Sequence, residues 1–250
     1  MVVLCGAAAL QKDLCFQDPS QSECSLVVLL QRLSGELHHL EYFAESCAVD
    51  EEAVSIAHRL HANSPDDHLG LLYVTMWEYG LHLCSMDLWE EACAVRETCV
   101  KLGRKLWVDD PTYCDGHFPQ SLCNYGLSLG HLGRYEEGSA VIEESISIHR
   151  ECLETNTKIH RPGLAISLDA YADVLHQRGF FEQACEVNKE SLILWTQLYE
   201  QDPTRYRDDL VVSVGLQAEY LRSVGQVGEA DAICEEIDTL DSFTTDSEDE

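Results

Sequence analysis

The sequence is poor in positive charge, and this scarcity excludes several kinds of partner. Its 250 residues include 16 lysines and arginines against 45 aspartates and glutamates, which gives a formal net charge of −29 at pH 7. A field of this sign repels nucleic-acid phosphates and anionic membrane surfaces, so we expect neither as a partner. Two interpretations of the acidity stay open: a surface that favours basic partners, or a solvated exterior that keeps the protein soluble.

Long apolar runs and paired-cysteine motifs are missing as well. No apolar segment approaches the roughly 20 residues that a membrane-spanning helix needs. The twelve cysteines include no C-x-x-C motif. Several stand where other repeats place a small residue, so we interpret them as reduced thiols of a cytoplasmic protein.

What the sequence does contain is a period of 46 residues. The tripeptide Gln17–Pro19 recurs as Gln201–Pro203, an interval of 184 residues or four periods. Two further prolines and a series of glycines keep the same interval: Pro65, Pro111, Gly133, Gly179 and Gly225. A fixed period of this length is typical of stacked helical units, which present long surfaces to partners.

Each period predicts a pair of helices. Leu122, Gly126 and Leu129 have the spacing of one helical face, and a second face begins at Tyr135. Gly133 lies between them, where a tight turn favours positive φ. Small residues such as Gly126 and Gly138 should let the paired helices approach closely. The predicted helices are 22–38, 43–62, 67–85, 88–107, 118–131, 134–155, 163–178, 181–200, 208–224 and 227–240.

The two ends of the chain depart from this pattern. Residues 1–21 are predicted to hold a second helix without its first helix, residues 22–240 the repeat domain, and residues 241–250 a disordered acidic tail. The orphan helix indicates either a truncated copy of a longer array or a helix that pairs with something else. Thr244, Thr245 and Ser247 suit acidophilic kinases, and the alternative is a solvated tail without regulation.

The repeat resembles the tetratricopeptide repeat. In the third unit the resemblance rests on Leu122, Tyr125, Gly126, Leu129, Gly133, Tyr135, Gly138 and Ser145. The period of 46 is similar to that of the kinesin-light-chain-like arrays of fungi and filamentous bacteria, whereas the common form has 34 residues. The resemblance implies an all-α fold, a right-handed superhelix of about five helix pairs, with a concave groove that binds peptides.

Register on the first helices predicts which residues face that groove. The candidates are Trp77, Leu81, Cys123, Asn124, Leu127, Asp169, Asp173, Gly215 and Glu219. One end would be apolar and the other acidic, which suits a peptide with a hydrophobic anchor and a basic flank. The alternative is that neighbouring units cover part of this face. Asn124 is the one asparagine of its column, so we expect no clamp for a peptide's terminal carboxylate.

Other reactive patterns give weaker candidates. His58 and His61 are more readily explained as surface residues than as metal ligands, because no further ligand spacing accompanies them. Cys99 near Arg96 could form a reactive thiolate, although a buried small residue fits the register better. No phosphate-binding loop or nucleophile–base pattern is evident, so we expect no enzyme activity, metal or cofactor.

The predicted function is therefore a non-catalytic scaffold or adaptor that binds a protein or peptide of basic character. The alternative is a truncated regulatory or sensor arm of a larger signalling protein with an NTPase or protease module.

Overall fold

The computed structural model describes residues 19–112 and 116–235, and every regular element within them is an α-helix. Nine of these helices have defined bounds: α1 (Pro19–His39), α2 (Phe43–Asn63), α3 (Pro65–Ser85), α4 (Trp89–Asp109), α5 (His117–His131), α6 (Tyr135–Cys152), α7 (Thr157–Gln177), α8 (Phe181–Gln201) and α9 (Pro203–Ser223). Residues 227–235 are also helical. The prediction of an all-α fold with about five helix pairs is confirmed.

The helix boundaries follow the 46-residue period. In the second repeat, α3 and α4 each have 21 residues, and residues 86–88 join them. Pro65 and Pro203 begin the first helix of their pairs, rather than only ending the helix before, whereas Pro111 lies in a turn before α5. The start of a helix suits proline because the first N–H groups of a helix have no acceptor within it. An aromatic residue begins the second helix of the first four pairs: Phe43, Trp89, Tyr135 and Phe181.

Helix α7 shows where the sequence-based boundaries were wrong. We expected it to begin at residue 163, just after Pro162, but it begins at Thr157 with Pro162 inside it. Thr157 stands one period before Pro203, so the repeat geometry fixes the start and the proline is accommodated within the helix. Helix α6 differs in the other direction, because it ends at Cys152 rather than at residue 155.

The turn inside each pair uses a left-handed residue. Gly133 has φ of +74°, as the sequence predicted, and Gly179 and Gly225 are similar. The same position in the first two repeats is held by Glu41 and Asp87, with φ of +63° and +58°. Backbone hydrogen bonds of the Schellman type accompany the turn; in the third repeat the N–H of Arg134 donates to the carbonyl of Leu129 at 2.8 Å.

Small residues allow close helix contact where predicted. A Cβ atom added to Gly126 on α5 would lie 2.8 Å from the carbonyl oxygen of Gly138 on α6. One added to Gly138 would lie 2.7 Å from the carbonyl oxygen of Gly126. Real Cβ atoms do not approach this closely, so the pair needs glycine at both positions.

The helices form two compact units, Met1–Ser121 and Leu122–Glu250. The first unit packs α1 to α4 in sequential order around buried residues that include Leu30, Leu72 and Tyr73. The second packs α6 to α9 in the same way, with Trp195 and Leu168 among its buried residues. No disulfide joins the nine cysteines of the described ranges. Within residues 19–112 and 116–235, no helix combines the length and the apolar character that a membrane span requires.

Two sequence-based expectations concern residues that the structure does not describe. The orphan helix over 2–16, and the tail with Thr244, Thr245 and Ser247, lie outside the described residues. Both stay predictions.

Candidate functional site

The second unit contains a pocket that brings predicted groove residues together. Its volume is about 460 Å³, and the walls come from α5, α7, α8 and α9. The lining residues are Leu127, Ile166, Asp169, Ala170, Asp173, Trp195, Asp208, Asp209, Val212 and Leu216. Three of the nine predicted groove residues, Leu127, Asp169 and Asp173, therefore share one cavity.

Helical spacing explains why acidic and apolar groups alternate along the pocket. Ile166, Asp169 and Asp173 are spaced by three and four residues, so they lie on one face of α7. On α9 a spacing of four places Asp208 and Val212 on one face, and Leu216 follows four residues later. Six of the ten lining side chains are apolar and four are carboxylates.

Asp169 is held by hydrogen bonds from three side chains. Its Oδ1 accepts from Asn188 Nδ2 at 2.6 Å and from Ser213 Oγ at 2.9 Å. Its Oδ2 accepts from Trp195 Nε1 at 2.8 Å. Burial raises the pKa of Asp169, although these hydrogen bonds act to lower the pKa. The donors come from α8 and α9, so Asp169 joins three helices of the unit.

Asp173 lies one helical turn further along α7 and has fewer partners. Its Oδ2 accepts a hydrogen bond from Gln177 Nε2 at 2.8 Å. Burial raises the pKa of Asp173, while the nearby His131 and His176 and the Gln177 hydrogen bond oppose the rise. The pKa of Asp209 is also raised, first by burial and then by the charge of Asp208. The pocket thus concentrates negative charge that its own side chains neutralise poorly.

The comparisons with known proteins identify the fold. No family model and no curated protein matches the sequence. The structure is similar to BtubC (BKLC) from P. vanneervenii, with 13% identity, a TM-score of 0.73, and coverage of 98% of this chain and 90% of that one. The chain has the fold of a tetratricopeptide-repeat (TPR) solenoid.

Two further solved structures support the same assignment. One is a putative kinesin light chain from Podosopora anserina with nearly identical TPR-like repeats, 16% identical, with a TM-score of 0.62 and coverage of 88% and 97% of the two chains. The other is a tetratricopeptide repeat protein from Parabacteroides merdae, 17% identical, with a TM-score of 0.53 and coverage of 94% and 73%. The expected likeness to long-period, kinesin-light-chain-like TPR arrays is confirmed at the level of the fold.

The remaining predicted groove residues do not line the pocket of this TPR fold. Glu219 is exposed, and its Oε1 lies 4.0 Å from Nδ1 of His176. Asn124 is half-buried beside Leu127 in sequence. Cys123 was placed wrongly, because it is fully buried in the core of the second unit. Its side chain on α5 packs in the core rather than facing the predicted groove.

The predicted residues of the first unit are not among those that line this pocket. Trp77 and Leu81 are half-buried on α3. The indole Nε1 of Trp77 is buried without a hydrogen-bond partner among the described residues, and its ring meets the edge of His117 at 5.7 Å.

Asp208 and Asp209 contribute half of the pocket's carboxylates and were not predicted from the sequence. The groove columns were taken from positions near the middle of each first helix, whereas these residues lie near the start of α9. A usable signal was their spacing of three and four residues before Val212, an apolar residue that is 62% exposed.

A serine, an aspartate and a histidine also meet in the first unit. Oγ of Ser34 lies 3.1 Å from Nδ1 of His82, and Oδ2 of Asp50 lies 2.6 Å from the same nitrogen. Ser34 and Asp50 are buried, and Ser34 also donates to Asp50. A catalytic relay uses the two ring nitrogens separately, one for the serine and one for the carboxylate. This cluster joins helices α1, α2 and α3 instead.

The pattern G-x-S-x-G occurs once, in Gly126–Gly130, although we expected no nucleophile pattern in this sequence. In esterases this motif forms a sharp turn that exposes the serine. In this chain Ser128 is fully buried inside α5, and its Oγ donates to the carbonyl of Asn124 at 3.3 Å. The motif in this chain is therefore a helix-packing pattern of small residues.

Cys99 and Arg96, the candidates for a reactive thiolate on α4, are both buried in the helix packing. Cys99 is 1% exposed, and burial raises its pKa to about 12, so it is not a thiolate at neutral pH. Arg96 is buried beside Gly80. Lys101 on the same helix pairs with Glu97 at 2.7 Å.

Proposed function

We propose that this TPR chain is a non-catalytic scaffold that binds a protein partner through the pocket of its second unit. The observation that supports this proposal is the composition of the pocket: four carboxylates among six apolar side chains, with no basic side chain among the described lining residues. Apolar walls supply contact area, and charge complementarity supplies selectivity. The partner is a peptide segment that combines an apolar residue with a basic one.

The partner should be basic because the pocket is costly for an anion. Burial already raises the pKa of Asp169, Asp173 and Asp209, which shows that their negative charges are poorly solvated. A bound cation would stabilise these buried negative charges, whereas an acidic peptide would bring a further negative charge beside them. The net charge of −29 acts in the same direction at longer range.

We place the protein in the cytoplasm, in keeping with the absence of disulfides among the described cysteines. The alternative function, a regulatory arm of a larger signalling protein, stays a prediction and would use the same pocket.

Selection from a random peptide library displayed on phage tests the proposal. The full chain serves as bait, and a variant with Asp173→Lys and Asp209→Lys serves as the counter-selection. We expect enriched peptides to pair lysine or arginine with aliphatic residues, and to bind the wild type in solution. Enrichment of acidic peptides, or of none that distinguishes the two baits, would refute the proposed function.

A further inference from the structure

We propose that the end of α1 is an acid-sensitive contact, in which protonation of both His38 and His82 separates this turn from α2 and α3. The contact belongs to the first unit and is independent of the pocket in the second unit, so either can fail without the other. It assigns a role to a cluster of polar side chains that the proposed function does not use.

Two imidazole rings lie face to face at this point. The rings of His38 on α1 and His82 on α3 are stacked, with centroids 4.3 Å apart and an angle of 18° between their planes. His38 also meets Phe43, the first residue of α2, at 5.1 Å. The stack therefore joins the last turn of α1 to both of the following helices. Two protonated rings at this distance would repel each other.

The surroundings of the stack hold one positive charge more readily than two. Oδ2 of Asp50 on α2 lies 2.6 Å from Nδ1 of His82, so a protonated His82 has a carboxylate partner. His38 differs, because its Nδ1 is buried and makes no hydrogen bond among the described residues. Protonation of that nitrogen would create a buried donor without an acceptor, which is unfavourable.

The charges that act on His38 come from α2 and α3. Burial lowers the pKa of His38, the charge of His82 lowers this pKa further, and the charge of Asp50 opposes both effects. Ser34 and Ser46 also face His82, with hydroxyl oxygens 3.1 and 3.4 Å from its Nδ1, and both are neutral. Because the pKa of His38 is lowered, its contribution to stability is present above the unfolded pKa and is lost as pH falls through the folded pKa.

Glu78 on α3, one turn before His82, acts in the opposite direction. Burial raises the pKa of Glu78, a hydrogen bond with Gln31 and the charge of His82 lower it, and the charge of Asp50 adds to the rise. A raised pKa gives a contribution to stability that is present below the unfolded pKa and is lost as pH rises. Acid thus favours the folded state at Glu78 and disfavours it at His38, so an experiment must separate the two groups.

The fourth repeat has the same contact with a tyrosine in place of the second imidazole. His176 stands three periods after His38, and Tyr220 stands three periods after His82. The rings of His176 and Tyr220 lie 4.9 Å apart, and His176 lies 5.1 Å from Phe181, the first residue of α8. Since a phenol gains no charge in acid, this contact is an internal control for the first one.

Native-state hydrogen exchange at pH 7 and pH 5, followed by NMR on the full chain, tests the proposal. Protection factors are compared, because they remove the intrinsic dependence of exchange on pH. Protection at the end of α1 and the start of α2 should fall at least about threefold more than at the end of α7 and the start of α8. His38→Phe keeps an aromatic ring that takes no proton and should abolish this excess. His39→Phe is the control and should retain it, because His39 is exposed in the same last turn.

The histidine ring resonances provide a second measurement. His82→Gln removes the neighbouring charge, so the titration midpoint of His38 should rise. Glu78→Gln removes the opposing group, so the loss of protection at the end of α1 should become larger.

Two results would overturn the proposal. One is an equal loss of protection in the first and fourth repeats, and the other is an excess that persists in His38→Phe. If His38→Phe does not fold, the midpoint of His38 in His82→Gln decides instead. An unchanged midpoint would show that the two rings do not act on each other, and the proposal would fail.

Discussion

Replacement of Gly126 by alanine should loosen the third helix pair. The added Cβ would clash with Cγ1 of Ile142 and would lie 2.8 Å from the backbone oxygen of Gly138. Ile142 is fully buried and cannot turn away freely. The oxygen of Gly138 belongs to the backbone of α6, so relief requires the two helices to separate.

The magnitude follows from two opposing terms. Overpacking of a buried contact costs about 1–3 kcal/mol, and a contact with backbone belongs at the upper end. Alanine in a helix interior gains about 1 kcal/mol over glycine. We therefore expect a net loss of about 2 kcal/mol in local stability. Gly215 is the matched control: it also lies inside a first helix of the second unit, and a Cβ there would meet no atom within 4 Å. Gly215→Ala should gain about 1 kcal/mol.

Native-state hydrogen exchange is the suitable assay, because repeat proteins open by segments and a single melting temperature averages over them. Amides of α5 and α6 should exchange faster in Gly126→Ala, and those of α9 more slowly in Gly215→Ala. If both substitutions slow exchange by the same factor, helix propensity alone governs these sites. The close approach of α5 and α6 would then not limit stability.

Three further predictions concern turns and titration. Asp87→Gly should raise the thermal midpoint of unfolding, by about 0.5 kcal/mol in stability, because it removes a left-handed non-glycine residue; an unchanged or lower midpoint would contradict this. Asp173→Asn should raise stability to urea at pH 7 and not at pH 3. Burial raises the pKa of Asp173 in the folded state, so the contribution of this carboxyl group to stability is present below the unfolded pKa and is lost as pH rises. Equal effects of the substitution at pH 7 and pH 3 would refute this prediction. His38 has a lowered pKa, first from burial and then from His82, so its contribution is present above pH 6.5 and lost as pH falls through the folded pKa. His38→Leu should accordingly reduce the loss of protection of α1 amides between pH 7 and pH 5, and an unaltered pH profile would rule out this residue.

The helix pairs could be predicted from sequence because each repeat buries the same columns. Aromatic residues such as Phe181 begin the second helices, and small residues such as Ala184 stand at the helix contacts, so one period fixes the next. The prediction of a left-handed turn residue could have been extended to the first two repeats. The glycine series of Gly133 continues backward at the same interval to Asp87 and Glu41, which adopt the same positive φ without being glycine.

The pocket's polar contacts could not be predicted in this way. Asn188, Trp195 and Ser213 lie 19 to 44 residues from Asp169, and they reach it only after three helices have packed. Periodicity identifies which positions turn inward, but not which inward polar groups find each other. Cys123 shows the same limit, because a shift of about one helical position separates a groove residue from a core residue.

Asn188 belongs to an inward column whose residue type changes from repeat to repeat. The equivalent residues one, two and three periods earlier are Ile142, Arg96 and Asp50, so this inward column changes from acid to base to apolar to amide. In the first unit Asp50 is buried and contacts His82, so it joins helices α2 and α3. In the fourth repeat Asn188 instead supports a carboxylate on a neighbouring first helix, and that carboxylate lines a cavity. The repeated columns build the scaffold, and the pocket of the proposed function lies beside a position where one column departs from its repeat. Exchange of Asn188 for isoleucine, the residue of the third repeat, should therefore leave the helix pairs intact and remove an Asp169 donor. A shifted Trp195 indole resonance with unchanged helix content would support this view, and loss of the helices of the fourth repeat would show that the column is structural alone.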